Sequence, residues 1–142
     1  MKENYNHSIT IRINFRYGHR LISPYKGKCN NVHGEYGTAI IEFSSKELDI
    51  NDMVLDFGGI KKEIKSWIDI NWDHAYIYND KDEVGKYLKE AGLKVFELTN
   101  TNPTAEILSA FLFKIIKLKI SDKVIKVGIV ESSEDNIAWY EE

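Results

Sequence analysis

The chain has 142 residues, a length that suits one domain with one core, and its hydrophobic content of 43% and charged content of 29% are those of an ordinary globular protein. A net charge of −3 gives no electrostatic reason to expect nucleic acid or an anionic membrane as partner. No apolar run reaches the ~18 residues of a membrane span, the opening MKENYNHS has no apolar signal core, and the one cysteine excludes an internal disulfide, so a soluble cytoplasmic protein is expected.

Ile9, Ile11, Ile13 and Phe15 alternate with Thr10, Arg12 and Asn14, the period of a half-buried strand over 9–15, and His19 continues the apolar parity. His7, before this strand, reads as a solvated residue of a polar tail. Residues 20–32, rich in Gly, Pro, Ser and Asn, read as a loop, and 35–43 as a second strand pairing antiparallel with the first. Asp56 is placed to cap a helix over 57–69 with Ile60, Ile64 and Ile68 on one face, and 70–80 reads as a loop. A short helix from Asp82 ends at Gly92, followed by a short extended piece, LKVFEL. Asn102 as cap and Pro103 at the first position open a second long helix to about Lys119. Two strands close the chain, 123–132 and 136–142, joined at Ser133-Glu134-Asp135, with a bulge expected at Gly128. The principal order is ββααββ. It predicts an α+β domain over 1–142, a four-stranded antiparallel sheet with two helices on one face and open edges that invite pairing with other subunits.

The chemistry-bearing residues concentrate in 15–36. His33 and Glu35 are two apart, so an extended backbone presents both side chains to one point. With His19 they make the three protein ligands of a catalytic zinc site with an open fourth position. The plainer reading of His-Gly-Glu is a turn facing water. Cys29 lies in a polar loop beside Lys28, where thiolate formation is easier, although a lone cysteine is more often a small buried apolar residue. Asp73-His74 reads as a turn with a cap, or as a proton relay whose carboxylate fixes the imidazole tautomer. Glu131 shares parity with Val127 and Ile129 and so needs a partner, the plain choice being a salt bridge. Thr104 and Glu106 fall in a helix's first turn, where a carboxylate is favourable in its own right.

Five blocks in order, FRYGHRLISPYKGKCNNVHGEY, MVLDFGGIK, WDHAYIYN, NPTAE and IVES, resemble the 6-pyruvoyl-tetrahydropterin synthase family. The four-residue step from Cys29 to His33 resembles the 6-carboxytetrahydropterin synthase branch of queuosine biosynthesis, since the pyruvoyl branch has a longer gap. The sequence departs from the family at Glu35, where a third histidine ligand is usual. The resemblance implies the tunnelling fold, with trimers closing a barrel, two trimers stacking as a hexamer, and active sites between subunits. It implies zinc on His19, His33 and Glu35, proton transfer by Cys29, Asp73 and His74, and a pterin held by Glu131 with Thr104 and Glu106 nearby. The implied reaction converts 7,8-dihydroneopterin triphosphate to 6-carboxytetrahydropterin with loss of triphosphate and acetaldehyde. The alternatives are a 6-pyruvoyl-tetrahydropterin synthase and a non-catalytic pterin-binding homologue whose Glu35 turns outwards.

Overall fold

A long hairpin forms the spine of the protein, which a computed structural model describes over residues 6–132 and 135–142. Strand β1 (His7–His19) pairs antiparallel with β2 (His33–Ser45) in unbroken register from His7 opposite Ser45 to His19 opposite His33. His7 therefore belongs to the strand, although it is exposed. Helix α1 (Phe57–Asn71), β3 (Ala75–Asn79), α2 (Glu83–Glu90), β4 (Val95–Leu98), α3 (Ala105–Lys119), β5 (Val124–Glu131) and β6 (Ile137–Glu141) follow. Of the turn between β5 and β6, Ser133 and Glu134 lie outside the described residues. So does most of the opening segment. No helix among the described residues is long and apolar enough to cross a membrane.

The sheet has six strands, ordered β4-β3-β1-β2-β5-β6, rather than the four expected. The added pair, β3 and β4, runs parallel: β3 lies beside β1 and β4 beside β3. The sheet is therefore mixed, and the expected loop at 70–80 contains a strand. All five residues of β3 are buried, so both its faces are covered and the alternation that marks a half-exposed strand is absent.

One face of the sheet carries Ile11, Ile13, Phe15, Ala39, Ile41, Phe43, Val127 and Ile129. Onto it pack Ile60, Ile64 and Ile68 of α1, and Leu108, Leu112 and Ile116 of α3, each set at steps of four that make one helical stripe. Asp56 caps α1 as expected, accepting from the Gly59 amide at 2.9 Å. For α3 the cap is Thr104, whose hydroxyl accepts from the Ile107 amide at 3.2 Å, and the helix begins at Ala105. Asn102 does not cap, because its side chain is bonded elsewhere.

A third helix, α2, occupies the opposite face, which corrects the expectation of two helices on one side. Ile77 points into the main core, so the neighbouring Tyr78 points away from it, and α2 lies on that ring. Asp82 anchors α2 to β3 and to the residue that follows β1. It caps the helix through the Val84 amide, pairs with Arg20 at 2.7 Å and accepts from the Tyr76 hydroxyl at 2.7 Å. Gly92, at φ +78, ends α2 as expected. A Cβ on Gly85 would overlap the buried Tyr78 ring. Gly85→Ala is therefore expected to destabilise the protein by about 1–3 kcal/mol through overpacking, read by denaturant melts; an unchanged midpoint would mean that α2 does not seat on Tyr78. The expected bulge at Gly128 is also corrected. The register slips between Glu42 and Phe43, opposite Val124–Lys126, and Gly128 instead makes room for Trp139, whose ring an added Cβ would meet at 2.8 Å.

The core-facing parity of β1 runs Phe15, Tyr17, His19, and that of β2 runs back through Gly37 and Glu35 to His33. One end of the apolar face thus turns polar beside the N-terminus of α3, because the sequence changes residue type without changing period.

Candidate active site

His19 and His33 face each other across the end of the hairpin, their ring centroids 4.6 Å apart. The His19 Nδ1 lies 2.8 Å from the Pro103 carbonyl, and the His33 Nδ1 lies 2.7 Å from that of Asn31. A carbonyl only accepts, so each Nδ1 carries the proton and each Nε2 of the neutral ring presents a lone pair. Both Nε2 atoms are buried without a hydrogen-bond partner. The Glu35 Oε1 stands 3.5 Å from the Nε2 of His19 and 3.2 Å from that of His33. Its other oxygen accepts from the Ser132 hydroxyl. Glu35 thus turns into the site.

Three acceptor atoms converging in a desolvated corner repel one another unless a cation lies among them. A proton can bridge only one pair at a time, whereas a divalent ion satisfies all three. The ligand atoms of His19, His33 and Glu35 lie within 4.8 Å of one another. With ligand bonds of about 2.0–2.1 Å, a tetrahedral ion separates its donors by about 3.3–3.4 Å, close to the 3.5 and 3.2 Å between the Glu35 oxygen and the two Nε2 atoms. The donor set fits a metal, and the backbone carbonyls supply the outer contacts that orient metal-binding imidazoles.

Glu131 extends the polar end on β5, where it pairs with Gly37. The Tyr17 hydroxyl donates to its Oε1 at 3.1 Å. Burial pushes the Glu131 pKa up, with Glu35 and Glu106 adding to it and His19 and the Tyr17 bond opposing. Tyr17 is pushed well above its ordinary value by burial and then by Glu131, so it remains a donor. Glu131 and Glu106 line a pocket of about 430 Å³ with Ala105, Asn136 and Ala138. Thr104 spends its hydroxyl oxygen on the cap of α3.

Asp73 and His74 sit between α1 and β3. The Asp73 Oδ1 accepts from the Arg16 amide at 2.9 Å, and Oδ2 faces the His74 Nδ1 at 2.7 Å. Partial burial pushes the Asp73 pKa up, but the Arg16 amide, His74 and Lys94 outweigh it and hold the carboxyl below its ordinary range. His74 adopts φ +61, a left-handed conformation that is uncommon outside glycine and concentrated at functional sites. Its ring lines an open groove of about 880 Å³ that His33 and Glu35 also border. Cys29 is half-buried in the 3₁₀ turn Lys28–Asn30 and makes no hydrogen bond to Asp73 or His74 among the described residues.

The structure therefore gathers His19, His33, Glu35 and Glu131 into one corner with Glu106 at its rim, sets His74 on the groove that His33 and Glu35 also border, and leaves Cys29 in its own turn without a bond to Asp73 or His74. Reading residue types missed Tyr17, Asn102, Ser132 and the carbonyls of Asn31 and Pro103. Tyr17 carried a signal, as a polar-tipped ring on the parity between Phe15 and His19. The carbonyls carried none.

The sequence model described as 6-pyruvoyl tetrahydropterin synthase matches residues 8–142. A 6-carboxy-5,6,7,8-tetrahydropterin synthase from Rickettsia typhi is 41% identical over 105 residues, covering 72% of this chain and 75% of its own. One of the same name from Aquifex aeolicus is 29% identical, covering 81% and 77%. Among solved structures, an uncharacterized protein from Wolinella succinogenes superposes with a TM-score of 0.81 at 20% identity, covering 96% of this chain and 98% of its own. The 6-pyruvoyl tetrahydropterin synthase of Caenorhabditis elegans does so with a TM-score of 0.70 at 23% identity, covering 99% of each. With its hairpin histidines, its half-buried strand-end glutamate and a match over nearly its whole length, the chain belongs to the 6-pyruvoyl tetrahydropterin synthase family of enzymes.

Proposed function

We propose that this lyase converts 7,8-dihydroneopterin triphosphate and one water to 6-carboxytetrahydropterin, releasing triphosphate and acetaldehyde. The observation that carries the reading is the convergence of two tautomer-fixed Nε2 atoms and the Glu35 oxygen beside the half-buried Glu131. The relatives named 6-carboxy-5,6,7,8-tetrahydropterin synthase and the short step from Cys29 to His33 favour the carboxy product.

His19, His33 and Glu35 would hold zinc, which when bound supplies a Lewis acid for the oxygen of the substrate side chain. Glu131 receives the 2-amino and N3 hydrogens of the pterin on two carboxylate oxygens, with Tyr17 fixing the carboxylate's orientation. Thr104 and Glu106 border the ring from the start of α3. Cys29 acts as the base for the proton on the hydroxyl-bearing carbon. Asp73 holds the Nδ1 proton of His74, leaving Nε2 to accept a proton in turn. Cys29 makes no bond to Asp73 or His74 within one chain, and Asp73 and His74 of one subunit serve the site of its neighbour in a homo-oligomer, a trimer or a stacked pair of trimers. The open edges β4 and β6 suit such an assembly.

The test incubates protein purified without chelator with 7,8-dihydroneopterin triphosphate, follows the products by mass spectrometry and measures bound metal. Triphosphate with acetaldehyde and near-stoichiometric zinc is expected. Triphosphate alone would make the product 6-pyruvoyl-tetrahydropterin. Neither product would leave a pterin-binding protein, and less than about a tenth of an ion per chain would reject the metal site.

A further inference from the structure

The side chain of Asn102, displaced from the capping role by Thr104, is committed to the loop that carries Cys29. Its Oδ1 accepts from the Ile22 amide at 3.1 Å and its Nδ2 donates to the Ile22 carbonyl at 3.0 Å. The adjoining residue, Leu21, donates its amide to the Cys29 carbonyl at 2.8 Å and accepts from the Asn30 side chain at 2.9 Å. On the other side of Asn102, the Pro103 carbonyl holds the His19 ring at 2.8 Å. One dipeptide before α3 thus grips both the strand end that presents His19 and the loop that presents Cys29. No other side chain of the described residues bonds the Ile22 backbone.

We propose that Asn102 is a positioning residue that fixes Cys29 relative to His19, by clamping the Leu21–Ile22 backbone to which the cysteine is bonded. A primary amide suits this task because it donates and accepts at once; a carboxylate cannot donate and a hydroxyl is too short to span both groups. The role of Cys29 in turnover rests on the proposed reaction, but the clamp does not.

Cys29 is the one cysteine in the chain, so alkylation by iodoacetamide reports its loop without ambiguity. In Asn102→Ala, loss of both bonds is expected to raise the alkylation rate about tenfold by opening the loop. Turnover should fall about a hundredfold in kcat, as for a misplaced reacting group, with little change in KM and unchanged zinc content. Asn102→Asp, which keeps the acceptor but sets an anion against the Ile22 carbonyl, should not rescue and covers the case in which the alanine variant fails to fold. Thr104→Ala is the control: it removes the helix cap and lowers the melting temperature, and should leave alkylation near wild type. Wild-type alkylation in both Asn102 variants, or the same rise in Thr104→Ala, would overturn the clamp. Faster alkylation in a protein whose wild type turns nothing over would uphold the clamp and reject the reaction.

Discussion

Cys29→Ala is expected to lower turnover by about three orders of magnitude, the range lost when a general base is removed, with zinc content and melting temperature unchanged. The thiol is half-buried on a short 3₁₀ turn whose geometry is set by backbone bonds, Leu21 to the Cys29 carbonyl and Asn30 to the Gly27 carbonyl. Alanine preserves both. The side chain meets the Tyr25 hydroxyl rather than the core, so its removal opens no packed cavity. None of His19, His33 or Glu35 bonds to it. A structural cysteine would respond in stability and a metal-ligating one in zinc content; a base responds in rate alone. Wild-type turnover in this variant would remove Cys29 from the mechanism.

If Glu131 anchors the pterin as proposed, Glu131→Gln should cost about 10³-fold in kcat/KM, because an amide NH₂ set against the pterin's own donors leaves polar groups unpaired. The same change should stabilise the protein near neutral pH. Burial raises the Glu131 pKa, and the nearby Glu35 and Glu106 raise it further, so its ionised form is less favourable folded than unfolded. Between the unfolded carboxylate value and the raised folded value the native state binds more protons, and stability falls as pH rises through that window. The glutamine variant lacks this slope and should melt higher above the window. The comparison is made with chelator present, since a cation beside His19 would favour the carboxylate. A variant that binds pterin normally, or that melts lower throughout, would show that Glu131 is a satisfied structural acid.

The hairpin and the helices α1 and α3 were legible in the sequence because each buries one face, and a one-sided element writes its period into its residues. His19, His33, Glu35 and Glu131 were legible for the same reason: they continue the core-facing parity of their strands with a change of residue type. Strand β3 was not, since Tyr76 and Tyr78 pack under α2 while Ile77 packs into the core, leaving no polar face to alternate with. Only the tertiary structure decided that Glu35 faces two lone pairs, that Tyr17 reaches Glu131 and that Asn102 holds the Cys29 loop instead of a helix end. Every residue carries a carbonyl, so the choice of Asn31 and Pro103 as the partners of two imidazoles follows from where distant segments meet, and one-dimensional order holds no record of that.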